Sequence, residues 1–195
     1  MALKKVKCLL KNPHRGIDKK GLEDLIKEYN SFLNHNLFPK PVSNDAISMI
    51  HYLKRKDEEV LQTIGPYENI TVFEAANRIA SDLVILKGIL QMFQDKTIQQ
   101  DSILTVNLGT THTKHEGDII INGEHCEAFN VAPTFFKAKL YKTIEKWKDY
   151  KDENGNLLTL KYILVNSGVC TDKDRQNLLD KSKCLIIVKD WNKLE

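Results

Sequence analysis

Asp118 and Glu127 stand on either side of Asn122–Gly123, and that spacing decides what chemistry they can do together. Asn-Gly is a strong hairpin signal, because both residues tolerate positive φ. A two-residue turn there sets Ile121 opposite Glu124, Ile120 opposite His125, Ile119 opposite Cys126 and Asp118 opposite Glu127. Facing residues of a ladder share one side of the sheet, with Cβ atoms about 5 Å apart. Glu116 precedes Asp118 by two residues and belongs to the same side, so three carboxylates are expected to converge. Directly opposed like charges cost roughly 0.2–1 kcal/mol on an exposed sheet, and a divalent cation reverses that penalty. Mg²⁺ suits such a pair, since it takes one or two carboxylates and fills its remaining positions with water and phosphate oxygens. A solvated hairpin with outward-facing acids would show the same spacing.

Other candidates carry weaker signals. His125 is expected on the Asp118/Glu127 side, as a base, a ligand or a packed ring. His112, His115, His125 and Cys126 do not make a zinc site: they are spread along the ladder, and Cys126 faces the other way. Glu74 can supply a further acid, yet Thr71-Val72-Phe73-Glu74 is also a capping box, which explains it structurally. Asn107-Leu108-Gly109-Thr110-Thr111 lacks the Gly-Lys-Ser/Thr ending of a phosphate loop, and Ser167-Gly168 lacks the frame of a nucleophile elbow. Two basic clusters can meet a nucleic-acid backbone or simply face solvent. One runs through Lys4, Lys5, Lys7, Lys11, Arg15, Lys19 and Lys20, the other through Lys137, Lys139, Lys142, Lys146 and Lys148.

The elements that must position these residues follow from periodicity. Residues 1–16 are basic and turn-rich, and helical spacing of Leu22, Leu25, Ile26, Tyr29 and Leu33 predicts a helix over 18–33. A second helix begins near Ser43 and ends at Gly65–Pro66. A long helix over about 72–94 is apolar enough to pack under a sheet. The period then becomes extended, with strands over 102–108, 118–121 and 124–131. A helix through about Tyr150, a strand over 161–166, a short helix over 172–181 and a strand over 184–188 complete the chain. The last two strands are continuous apolar runs separated by a helix, the pattern of buried, parallel neighbours in an α/β protein.

Bulk properties agree with a folded chain. The 195 residues are 42% hydrophobic and 28% charged, with a net charge of +3 that by itself names no partner. Four widely spaced cysteines read as thiols of a reducing compartment. The amino terminus lacks a signal-like apolar stretch, and no segment approaches the roughly 20 apolar residues of a membrane span. A soluble, cytoplasmic protein without membrane association is the expectation.

The order long helix, strand, hairpin, helix, strand, helix, strand, with Gly117-Asp118 opening the second strand and Glu127 on the third, resembles the PD-(D/E)xK nuclease superfamily over residues 71–190. The resemblance implies a restriction endonuclease-like mixed sheet flanked by helices. The amino-terminal helical region would then cover 1–66 and the nuclease-like core 67–195. It also implies Mg²⁺-dependent cleavage of DNA or RNA phosphodiesters, with Asp118 and Glu127 as ligands and Glu116 assisting. One position departs from the pattern. Phe129 stands where the family has its lysine, and a phenyl ring cannot stabilise developing charge. Either Lys114 or Lys137 replaces it, or the site has decayed and the fold serves as a module that binds nucleic acid or a protein partner. A partner-binding domain unrelated to nucleic acid, using the amino-terminal helices, is the remaining reading.

Overall fold

The computed structural model describes residues 5–41, 43, 45–54, 62–109, 116–170 and 185–193. The basic amino-terminal stretch is more than turns: it supplies β1 (Lys7–Cys8) and β2 (His14–Ile17). Asp18 caps α1 (Lys19–His35), its carboxylate accepting the Gly21 N–H at 2.8 Å and satisfying a donor that a helix start leaves open. Leu22, Leu25, Ile26 and Tyr29 fall on one side of α1 and are buried, as their spacing requires. Helix α2 (Ala46–Lys54) buries none of its residues. Gly65–Pro66 then does not end a helix. It turns a hairpin between β3 (Gln62–Ile64) and β4 (Tyr67–Ile70), with Gly65 at a positive φ of 52°.

Thr71 starts the central helix, α3 (Val72–Gln94), by accepting the Glu74 N–H on its hydroxyl at 3.2 Å. Ala75, Ile79, Leu86, Ile89 and Phe93 recur at three-, four- and seven-residue spacing along its length and are buried. The remaining elements among the described residues are β5 (Leu104–Val106), β6 (Ile119–Ile121), β7 (Glu124–Phe129), α4 (Pro133–Lys148), β8 (Leu160–Asn166) and β9 (Leu185–Val188). The short helix expected over 172–181 lies outside the described residues.

The protein is mixed α/β. One six-stranded sheet runs in the order β2-β5-β6-β7-β8-β9, and a three-stranded sheet runs β1-β4-β3. In the larger sheet, pairing is antiparallel from β2 to β7 and parallel from β7 to β9. The parallel strands are apolar on both sides because both are covered. Leu164 points into the layer of α3 and α1, while Ile163 and Val165 pack with Phe136 and Leu140 of α4. Gly88 lets α3 lie close over β8: a Cβ there would come within 2.3 Å of Leu164 Cδ2.

The amino-terminal residues belong to this same core. β2 forms the edge of the main sheet, and Leu10, Leu22, Leu25, Ile26 and Tyr29 share one apolar cluster with α3 and the strands. The boundary expected between residues 66 and 67 falls inside the β3–β4 hairpin. No described helix is long and apolar enough to cross a membrane.

Candidate functional site

The hairpin that carries the acids has the expected register. Ile121 pairs with Glu124, Ile120 with His125 and Ile119 with Cys126, around a turn in which Asn122 and Gly123 adopt φ of 49° and 87°. The ladder stops there. Gly117 presses onto β7, where a Cβ would meet the Cys126 carbonyl oxygen at 2.4 Å, and the backbone departs from the β7 ladder ahead of Ile119. Asn107, buried at the end of β5, holds the departure. Its backbone N–H donates to Asp118 O at 2.9 Å and its Nδ2 to Gly117 O at 2.7 Å. Asp118 is thereby buried with Oδ2 accepting the Ala128 N–H at 2.6 Å.

Glu127 is held from the other side. Trp147 Nε1 and Lys146 Nζ, both from the last turns of α4, donate to its Oε1 at 2.8 and 2.9 Å. Burial works against the Lys146 ammonium, but the hydrogen bond and charge of Glu127, then Tyr150 and Asp118, outweigh it and raise the Lys146 pKa. Asp118, Glu127, Lys139 and Lys146 line one cleft of about 910 Å³, together with Arg78 and Asp82 from α3.

Asp82 is the residue that sequence reasoning passed over. It is 1% exposed and sits in the apolar stripe of α3, between Ile79 and Leu86. Tyr29 donates to its Oδ2 at 2.8 Å, Tyr67 donates to the same oxygen, and the Gly109 N–H donates to Oδ1 at 2.8 Å. Burial pushes its pKa up to about 6 against these three donors, and the charge of Asp118 adds to the rise. The carboxyl therefore ties α1, β4 and the loop after β5 to the wall of the cleft. An acid in an otherwise apolar stripe, seven residues from both Ala75 and Ile89, was the signal available.

The other expected site residues scatter. Glu116 turns to the edge of the sheet and pairs with Arg15 of β2 at 2.8 Å, so it does not join the other two acids, because the strand is not regular through Gly117. Lys137 borders a separate hollow beside Gly168 and Cys170. Lys114, His112 and His115 lie outside the described residues. Glu74 does line the cleft, but its carboxylate pairs with Arg78 at 2.8 Å and does not fold back on the helix cap. His125 is buried against Trp147, its ring 5.3 Å away, and accepts the Gly117 N–H on Nδ1 at 3.3 Å. Burial lowers its pKa against the pull of Glu116 and Glu127, a shift toward the neutral ring that the accepting role uses.

Among the described residues, no three His, Cys, Asp or Glu side chains come together as a metal site. Two carboxylates on one cleft do match the donor needs of a hard cation such as Mg²⁺, which completes its shell with water and phosphate oxygens. Comparison with protein-family models, curated proteins and solved structures returns no match.

Proposed function

We propose that the protein is a divalent-cation-dependent phosphodiesterase acting on nucleic acid, built on a restriction endonuclease-like core. The observation that carries this reading is the meeting of Asp118 and Glu127 in one cleft, with an ammonium, Lys146 Nζ, 2.9 Å from Glu127 Oε1. The order α3-β5-β6-β7-α4-β8 agrees with the order on which the family resemblance rests.

In this reading Asp118 and Glu127 would hold Mg²⁺, which would supply a water of lowered pKa and offset phosphate charge. Ala128 N–H and Asn107 set the direction of Asp118. Trp147 and Lys146 both grip Oε1 of Glu127 and so pin its rotamer. Lys146, from α4, takes the place of the family lysine ahead of Lys114 or Lys137. Its charge lies where a phosphoryl oxygen or attacking water would gain a donor. A second ammonium of α4 comes to the lysine position itself: Lys139 Nζ lies over the Phe129 ring, 5.7 Å from its centroid.

The test is cleavage of labelled DNA and RNA, single- and double-stranded, with Mg²⁺ or Mn²⁺. Asp118→Asn and Glu127→Gln should abolish it, and Lys146→Met should lower it by about 10²–10³-fold, as loss of one charge stabiliser does. Cleavage that survives unchanged in both carboxylate variants ends the proposal. The apolar Phe129 favours a second reading, a nuclease-like fold that binds without cutting. Nucleic-acid binding by a wild type that cleaves nothing would select it.

A further inference from the structure

The cleft separates its charges by depth. Asp82 and Asp118 are buried, the Glu127 side chain is 14% exposed and that of Arg78, paired with Glu74, is 15% exposed, whereas the lysines Lys54, Lys139 and Lys146 are exposed. Acids on the floor and lysines on the rim suit a polyanion whose backbone meets the rim before one phosphate reaches the floor. Phe73 lies at this mouth. It is 51% exposed on a helix whose neighbouring apolar residues, Val72, Ala75 and Ile79, are buried, and it belongs to none of the apolar clusters. Lys54 Nζ stands 6.0 Å from the centroid of its ring. A half-exposed aromatic ring with an ammonium over one face is a pairing that can take a nucleobase and its phosphate.

We infer that the cleft receives an unpaired strand, with one base stacked on Phe73 and the adjoining backbone on Lys54. This rests on the proposed action on nucleic acid and names the form of the substrate. A duplex keeps its base faces stacked inside and cannot offer one to Phe73 without extruding a nucleotide. Its outward phosphates would also have to descend to carboxylates recessed beneath the rim. A flexible single strand meets both requirements.

Fluorescence anisotropy in EDTA, with a labelled single-stranded oligonucleotide and its blunt duplex, reads binding apart from cleavage. The single strand should bind more tightly than the duplex. Phe73→Ala should weaken it by about 5- to 150-fold, the range for loss of one stacking aromatic, while Phe73→Trp retains it. A thermal melt of each variant should match the wild type, because the side chain is largely exposed. Equal affinity for both forms, or affinity unchanged in Phe73→Ala, overturns the inference. Failure of the cleavage tests alongside Phe73-dependent strand binding removes the reaction and upholds the inference. Cleavage of duplex and single strand alike, indifferent to Phe73→Ala, does the reverse.

Discussion

Replacing Asp82 with asparagine should uncouple much of the protein's stability from pH. The Asp82 carboxyl titrates near 6 in the fold, against an ordinary 3.8. Between those two values the folded protein keeps a proton that the unfolded chain has released. Stability from this group is therefore fully present below about pH 4 and is lost as pH rises through about 6. At about 1.4 kcal/mol for each pH unit, the gap is worth about 3 kcal/mol. Asparagine keeps the shape of the side chain and does not titrate. Urea unfolding of both proteins at several pH values from 4 to 7.5 measures the effect, and the other carboxylates cancel in the difference. The stability of wild type relative to Asp82→Asn should fall by about 2.5 kcal/mol across that range, most of it between pH 4 and 6. A difference that stays constant with pH would refute the reasoning, because it would mean that burial does not raise the carboxyl.

Tyr29→Phe removes one donor to Asp82 and should cost about 1.5–3 kcal/mol at pH 7.5, where the bond is to a charged acceptor, and less at pH 4; the same unfolding curves read it. Lys146→Met should change stability by less than about 1 kcal/mol, since its ion pair with Glu127 is half exposed on the lysine side, so any large loss of cleavage would reflect chemistry and not folding. Gly117→Ala should cost about 1–3 kcal/mol in thermal or urea unfolding, because its Cβ would press on the Cys126 carbonyl; it should also displace Asp118 and reduce cleavage beyond what the stability loss explains.

Much of this arrangement was legible in the residues. The Asn122–Gly123 turn set the register of the hairpin from Ile119 to Cys126, and the Thr71 cap with its apolar stripe gave α3 its limits. What escaped did so for identifiable reasons. His14-Arg15-Gly16-Ile17 shows no alternation, so β2 passed for a turn although it pairs with β5. Gly-Pro after a helical stretch read as a stop, which concealed β3 and β4. Glu116 was placed by assuming that strand alternation continued through Gly117, where the backbone instead crosses onto Cys126. Asp82 looked like an interruption of an apolar run, because its three donors come from α1, β4 and the loop after β5, distant in sequence. Lys146 was hidden among five lysines of one helix. Only its position two turns after Lys139 hinted that both look the same way, and only the packing of α4 across β7 brings it to Glu127.

The two edges of the main sheet have a consequence for how the chain is made. In sequence, β2 precedes and β9 follows every other strand of that sheet. As the polypeptide leaves the ribosome, β2 has no partner until β5 emerges, because His14 pairs with Val106. Such distant pairings close slowly, whereas β5, β6 and β7 are consecutive and can form first as a meander. The acid-bearing hairpin is thus assembled while both flanks of the nascent sheet still lie open. Until β2 returns and β9 arrives, those flanks are where a stalled chain would join its neighbours or be caught by a chaperone.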